Sequence, residues 1–205
     1  MAILPSQFAI DYQAILVAAT ENGPSVASYL RAHLPAVWRD VYVRTADHQT
    51  NLVHLRVGDF DYICDLYSQL EMIGEVPIDQ TVQDRVVAVF GSSAPADNDQ
   101  AANRKRTWVA VTEELPLSER DAGHFIARCF GGGNHVNIFS QDRGLNRGWS
   151  PQGRVYRQME KYCADQPGTF CFSRPIYTEG TGVPRWLEFG VLKTDETLWV
   201  EAFDN

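Results

Sequence analysis

The hydrophobic periodicity changes near residue 41, and this change constrains the fold more than any other feature of the sequence. Before that point, apolar residues recur at helical spacing, which predicts helices over residues 6–19 and 24–34 with a break at Asn22-Gly23. Beyond it, apolar residues alternate with polar ones or form short runs of strand length. Helices followed by a series of strands are typical of an α+β protein with an antiparallel sheet.

Short apolar segments predict the strands of this sheet. Residues 41–43 and 52–57 flank a polar turn, which favours an antiparallel hairpin. Residues 85–90 and 107–112 are two further predicted strands, and we interpret the polar stretch between them, residues 91–103, as a long mobile hairpin loop. The boundary between two regions of the chain is then expected near residue 80.

Two other segments complete the prediction of the sheet. The pattern over residues 62–73 fits a strand and a helix equally well, so its structure stays open. Near the C-terminus, residues 169–172 and 187–191 surround a glycine-rich turn and are expected to supply the last strands.

The net charge of −8 argues at first sight against a polyanionic ligand such as nucleic acid. The acidic residues are unevenly distributed, however. Residues 1–100 contain 5 basic and 13 acidic residues, whereas residues 101–205 contain 13 of each. Within residues 101–161, ten basic residues outnumber six acidic ones. We therefore predict an acidic N-terminal region, residues 1–80, and a second domain, residues 81–205, with a local basic surface.

Neither a membrane nor a secretory signal is readable in the sequence. No apolar run approaches the length of about 18 residues that predicts a transmembrane helix, and the N-terminus lacks the pattern of a Sec signal peptide. We expect a cytoplasmic protein, or an effector exported by another route. The four cysteines form no CxxC pair and are interpreted mainly as buried thiols, although the spacing of Cys163 and Cys171 permits a disulfide.

The most informative motif lies between residues 120 and 160. It begins with Asp-Ala-Gly-His at residues 121–124, continues with Asn137 and Gln141, and reaches Asn146. The order of these parts resembles the DNA/RNA non-specific endonucleases, in which Asp-Arg-Gly-His is followed by an Asn-x-x-x-Gln strand. In that family an asparagine then heads a helix that ends in Met-Glu or Leu-Glu. The resemblance covers about residues 83–190.

This resemblance implies a fold and a reaction. The fold is a ββα-metal (His-Me finger) core, in which His124 ends one strand, a second strand lies near residues 136–139, and a helix carries Asn146. The reaction is hydrolysis of DNA or RNA, with His124 as general base and Asn146 as ligand of a single Mg²⁺, for which Mn²⁺ can substitute. A neutral imidazole can deprotonate water near neutral pH, and an amide oxygen suits a hard cation.

The resemblance also implies roles for several charged residues. Arg120 would act in catalysis, Asp121 would orient the loop or the imidazole, and Glu160 would bind a water of the metal shell. Three arginines would contact the nucleic acid: Arg143, Arg147 and Arg157.

Two features depart from the family pattern. Ala122 stands where the family has arginine, and Arg120 is the obvious substitute. In addition, Glu160 follows Asn146 by 14 positions, which in one continuous helix would be roughly 21 Å of rise. Ser150-Pro151 is a good helix start, so we expect Glu160 to belong to a second helix.

Each of these residues also has a structural interpretation. His124 could be a hydrogen-bonded turn residue, Asn146 a helix cap, and His135 a surface residue rather than a second ligand. Trp149, Trp186 and Trp199 are expected in the core, although Trp149 could stack on a base. A zinc site would need four dispersed residues: His124, Cys129, His135 and Cys163.

The expected function is thus a metal-dependent non-specific endonuclease, with a bacterial toxin or effector as its context and an immunity or delivery protein as a further partner. The alternative is a module of the same fold that binds nucleic acid or protein without catalysis. Nucleic-acid binding without cleavage would favour that alternative.

Overall fold

The structure is a computed structural model that describes residues 1–22, 24–70, 81–95 and 119–205, apart from the side chain of His135. Two helices lie near the N-terminus, α1 (Tyr12–Asn22) and α2 (Val26–Thr45). Two more follow later, the single turn α3 (Arg143–Asn146) and α4 (Pro151–Asp165). The strands are β1 (Leu52–Val57), β2 (Phe60–Asp65), β3 (Arg85–Ser92), β4 (Arg120–His124), β5 (Ile138–Asp142), β6 (Phe170–Ile176), β7 (Trp186–Leu192) and β8 (Leu198–Asp204).

Six of the strands form one antiparallel sheet in the order β1-β2-β3-β6-β7-β8, and β4 pairs with β5 in a separate ribbon. This arrangement confirms the predicted α+β class with an antiparallel sheet. The predicted strands near residues 85–90, 169–172 and 187–191 are present. Strands from both sides of residue 80 share the large sheet, because β2 pairs directly with β3.

The two faces of the sheet carry different layers. Helices α1 and α2 cover one face, where Leu30, Leu34 and Trp38 are fully buried. The β4–β5 ribbon and α4 cover the other face, where Tyr156 and Met159 pack into a second apolar core. The ribbon that contains the family-like motif is therefore supported from below by the sheet.

The predicted strand at residues 41–43 is wrong, because α2 continues to Thr45. Pro35 suggests a helix end near residue 34, and a proline inside a helix costs about 3 kcal/mol. Burial of Trp38 and Val41 against the sheet outweighs this cost. The hairpin predicted between residues 41–43 and 52–57 is consequently wrong as well: β1 pairs with β2 across a tight turn.

The first helix also begins later than predicted. Residues 6–8 form a short 3-10 turn, and the Asp11 carboxylate accepts a hydrogen bond from the Ala14 amide at 2.9 Å. Asp11 therefore caps α1, which begins at the next residue. The undecided segment 62–73 starts as a strand within β2, and its last residues lie outside the described part of the chain, as does the predicted strand 107–112 with most of the preceding loop.

The cysteines are free thiols, and three of them are buried: Cys64, Cys163 and Cys171. Cys129 is exposed, in contrast to the general expectation of burial. The disulfide that the spacing permits between Cys163 and Cys171 is not formed. The two thiols interact with each other instead, which raises the pKa of Cys163 together with its burial.

Candidate active site

The β4–β5 ribbon sorts the motif residues onto two faces. Residues paired across an antiparallel ladder share a face, and the pairs alternate between faces along the strands. Ala122 pairs with Ser140 and His124 with Ile138, so Arg120, Ala122 and His124 share one face. Arg120 Nε donates to Ser140 Oγ at 2.9 Å on that same face. Arg120 thus lies on the face where Ala122 replaces the family arginine, but about 13 Å along the strand from His124.

The opposite face explains two of the motif positions, Gly123 and Gln141. A Cβ atom at Gly123 would overlap the side chain of Gln141, so only glycine fits there. Gln141 is completely buried, and its amide lies close enough to the buried Tyr156 hydroxyl to interact with it. Gln141 therefore places a buried polar side chain against Gly123 of β4.

His124 is the last residue of β4 and is mostly buried. Burial lowers its pKa from the ordinary value of 6.5, the charge of Arg128 lowers it further, and the Asn134 side chain opposes both effects. The imidazole is therefore neutral at pH 7. Its Nε2 atom is enclosed and has no hydrogen-bond partner. A neutral imidazole with an uncommitted nitrogen has the chemistry of a general base, provided that water reaches it.

Asn137, a further residue of the motif, has a structural role. Its Oδ1 accepts from the Ile126 amide at 2.9 Å, and its Nδ2 donates to the carbonyls of Ile126 and Gly133 at 2.8 and 2.9 Å. These bonds close the loop that leaves His124 and returns to β5. Asn137 thereby fixes the direction in which the chain leaves the histidine.

Asp121 collects three of the predicted site residues around one carboxylate. Arg147 donates to it twice, at 2.6 and 2.9 Å, Arg143 Nε at 3.2 Å, and Asn146 Nδ2 at 3.1 Å. The hydrogen bonds to Arg147, Asn146 and Arg143 hold the pKa of Asp121 below its ordinary range. Its described contacts are with α3 and the following residue, and none joins it to the His124 imidazole.

The Asn146 amide is oriented by this carboxylate. Because Nδ2 donates to Asp121, the amide oxygen is directed away from the carboxylate. An amide oxygen held in this way is suited to a hard cation. A carboxylate that accepts a hydrogen bond from a metal ligand, as Asp121 does from Asn146, commonly fixes the orientation of that ligand. Among the described residues, no group of three or more His, Cys, Asp or Glu side chains could hold a metal ion. A site with a single amide ligand would not depend on such a group.

The predicted break between Asn146 and Glu160 is present. Helix α3 ends at Asn146, and α4 begins at Pro151 with Ser150 as its N-cap, whose hydroxyl accepts from the Gly153 amide at 2.9 Å. Between them Gly148 adopts a φ of +71°, a conformation that favours glycine. A Cβ at Gly148 would lie 3.0 Å from Arg157 Cγ, so the chain folds back along α4.

This fold-back brings the Asn146 region close to the second half of the predicted site. Arg157, which lies against Gly148, donates to Glu160 Oε2 at 2.7 Å. Burial raises the pKa of Glu160 to about 7, and the interactions with Arg157 only partly oppose this rise. The carboxyl group therefore changes its charge close to physiological pH. The 21 Å separation of a continuous helix does not apply.

The surface beside this cluster is basic and aromatic. The expectation that Trp149 belongs to the core is wrong, because its side chain is 63% exposed, whereas Trp186 and Trp199 are partly buried. The Arg147 guanidinium lies 4.9 Å from the centre of the Trp149 ring, and Arg154 donates to the Trp149 carbonyl at 3.3 Å. An exposed aromatic ring flanked by arginines is typical of surfaces that stack on nucleic-acid bases. The motif gave no role to Arg154, although its place in the basic segment was visible.

The structure thus groups Arg143, Asn146 and Arg147 around Asp121 and joins Arg157 to Glu160, while Arg120 and His124 lie on the other face of the ribbon. The His135 side chain lies outside the described residues. Comparison with known protein families and with curated proteins finds no match for this chain. None of the described helices combines the length and the apolar character needed to cross a membrane.

Proposed function

We propose that the protein is a metal-dependent endonuclease that hydrolyses phosphodiester bonds of DNA, RNA or both. The observation that carries the proposal is the β4–β5 ribbon with its following helices. One strand of the ribbon ends in a neutral histidine whose Nε2 has no partner, and three residues earlier it holds the amide of Asn146 through Asp121. The strand thus carries a base and, on its opposite face, the carboxylate that orients the Asn146 amide of α3, and a base and an amide oxygen are the two groups that one-metal hydrolysis needs.

The residues present fit a hard divalent cation, and Mg²⁺ is the one proposed, with Mn²⁺ as substitute. The Asn146 amide oxygen would hold it directly, and Glu160 would hold one of its waters. Glu160 has a pKa of about 7, so a nearby cation would favour its ionised form. When bound, the metal stabilises negative charge on the phosphate and on the leaving oxygen.

The other residues of the site hold the substrate. His124 accepts a proton from the attacking water at Nε2. Arg143 and Arg147 both donate to Asp121 at the surface, and their guanidinium groups are proposed to contact phosphate. Asp121 acts as a positioning residue, because it orients Asn146 and both arginines. Arg120 shares the face of His124 but lies about 13 Å away along the strand, and it is proposed to contact a more distant part of the nucleic acid.

One observation favours a second candidate function, nucleic-acid binding without cleavage. His124 Nε2 is enclosed, and Ala122 supplies no guanidinium beside it. If water does not reach Nε2 when the substrate binds, the same basic surface would bind nucleic acid without cutting it. The context of a bacterial toxin, with an immunity or delivery protein bound to the acidic residues 1–80, remains a proposal from the resemblance.

Degradation of plasmid DNA and total RNA by the purified protein separates these candidates. We expect Mg²⁺-dependent loss of at least one substrate, which EDTA abolishes. His124→Ala should reduce the rate by about 10²- to 10⁴-fold, the usual contribution of a general base. His54→Ala is the control. His54 lies on β1, hydrogen-bonds to Asp61 of β2, and is not part of the β4–β5 ribbon. Intact substrates with Mg²⁺ and Mn²⁺, together with salt-sensitive binding, would support the binding module instead.

A further inference from the structure

A cavity of about 70 Å³ lies on the opposite side of the six-stranded sheet from the candidate active site, under α2. Trp38 and Val41 of α2 form one wall, and Val87, Ile176 and Tyr177 form the other. Arg85, at the start of β3, also lines the cavity. None of the residues proposed for phosphodiester hydrolysis lines this cavity.

Arg85 is a buried cation with an unsatisfied donor. Arg85 is only 7% exposed. Its Nη1 donates to the Glu179 carbonyl at 3.0 Å, and its guanidinium lies 4.8 Å from the centre of the Tyr177 ring. Nη2 is buried and has no hydrogen-bond partner. A guanidinium stays charged at any relevant pH, so Nη2 keeps two N–H groups that need an acceptor.

The carboxylate that pairs with Arg85 across the β2–β3 ladder is occupied by other donors. Asp65 is the ladder partner of Arg85, but its oxygens accept from the Tyr42 hydroxyl, His48 Nε2 and the Asn51 amide at 2.7 to 2.8 Å. Among the described residues no ion pair within 4.0 Å involves Arg85. Asp65 therefore leaves Arg85 Nη2 without an acceptor.

The remaining charges around the cavity are arranged by depth. Arg174 is neutralised by Glu188 at 2.6 Å and also donates to the Phe8 carbonyl. Asp47 and Glu179 line the cavity too, but both are exposed, and Asp47 is bonded to His48 at 3.1 Å. Among the described residues the interior thus has one uncompensated donor group, Arg85 Nη2, the walls combine apolar and polar side chains, and the mouth is acidic.

We propose that this cavity binds a small monocarboxylate, whose hydrocarbon part contacts Val41, Val87 and Ile176 and whose carboxylate pairs with the Arg85 guanidinium when the side chain turns the enclosed Nη2 toward the cavity. One water molecule occupies about 10–15 Å³ of a cavity measured in this way. The cavity of about 70 Å³ therefore holds roughly five heavy atoms, the size of a carboxylate with a short chain. Phosphate fits less well, because it would bring up to two charges past the acidic mouth and would leave the apolar walls without a partner.

Thermal unfolding of the full chain with added ligand tests this inference, and EDTA and the absence of nucleic acid keep it independent of the nuclease proposal. Propionate or butyrate should raise the unfolding midpoint saturably, by about 3–6 °C at ten times Kd. The small number of ligand atoms places Kd in the millimolar range. Propylammonium and phosphate at equal ionic strength should produce no saturable shift, and calorimetry should give the same Kd.

Two variants locate the site. Arg85→Lys keeps the charge but loses the planar fork, and should weaken carboxylate binding at least tenfold. Ala46→Leu adds volume at a half-buried position that lines the cavity, and should abolish binding while the protein stays folded. No saturable shift in wild type, or an unchanged Kd in Ala46→Leu, would overturn the proposal. A shift with phosphate that depends on Arg85 would overturn the choice of carboxylate.

Discussion

Asp65 and Asp121 lie on opposite sides of the large sheet, and their surroundings differ in a way that separates structure from function. Asp65 is completely buried and accepts hydrogen bonds from a tyrosine, a histidine and a backbone amide. Asp121 is partly exposed and accepts from two guanidinium groups and an amide. The first carboxylate joins α2, the following loop and β2 into one unit. The second holds cations and an amide at the surface, where they can meet a ligand.

Of the substitutions that test this difference, Asp65→Asn should have the largest effect, a loss of unfolding free energy. The amide cannot accept all three donors that the carboxylate satisfies, and a disrupted buried polar network costs about 3–5 kcal/mol of unfolding free energy. Urea denaturation should show this loss, with the nuclease rate per folded molecule unchanged. A loss below about 1 kcal/mol would mean that the buried cluster contributes little to stability.

Glu160→Gln should change the pH dependence of stability on the Asp121 side. The folded protein binds this proton more tightly than the unfolded chain, because burial raises the pKa from 4.5 to about 7. The unfolding free energy therefore falls as pH rises from about 4.5 through 7, by on the order of 3 kcal/mol. The glutamine variant should lose this fall between pH 5 and pH 8. Asp165→Asn, on an exposed part of the same helix, is the control and should keep it.

Asp121→Asn should lower activity more than stability, in contrast to the substitution at Asp65. Its contacts are partly exposed, and such ion pairs contribute little to folding. Loss of a group that orients a metal ligand typically costs 10- to 100-fold in activity or metal affinity. The Mg²⁺ concentration that gives half-maximal nuclease activity should be higher in the variant than in the wild type. A large loss of stability with unchanged Mg²⁺ dependence would show that the two carboxylates have the same structural role.

Trp149→Ala should have the smallest effect and should be confined to binding. The ring is exposed, so the unfolding midpoint should stay the same. Stacking of one base is worth about 1–3 kcal/mol, so affinity for a short single-stranded oligonucleotide should fall several-fold in EDTA. Trp149→Phe keeps a stacking ring and should retain most of the affinity. Equal losses in both variants would argue against stacking.

The sequence predicted elements that depend on local signals. The start of α4 at Ser150-Pro151 follows from capping and proline geometry, and the buried strand β3 follows from its apolar run. The order of the motif residues also placed His124 at a strand end and Asn146 in the following helix.

Features that depend on tertiary packing were not predictable. Helix α2 passes through Pro35 because its buried face continues onto the sheet, which no local pattern reveals. The cluster of Arg143, Asn146 and Arg147 around Asp121 depends on how α3 packs against β4, which the sequence does not show. Trp149 is exposed beside the turn at Gly148, where the chain passes close to Arg157 of α4, and this tertiary approach is not visible in the sequence.

The most direct test of the central claim, that His124 is the base of a metal-dependent nuclease, is single-turnover cleavage of an oligonucleotide with Mg²⁺ across pH. Because the pKa of His124 is lowered, the wild-type rate should decline on the acid side only below pH 6.5. His124→Gly should be slower by about 10²- to 10⁴-fold, and added imidazole should restore part of the rate. Cleavage by His124→Gly at the wild-type rate without imidazole, or no metal-dependent cleavage by wild type, would contradict the account.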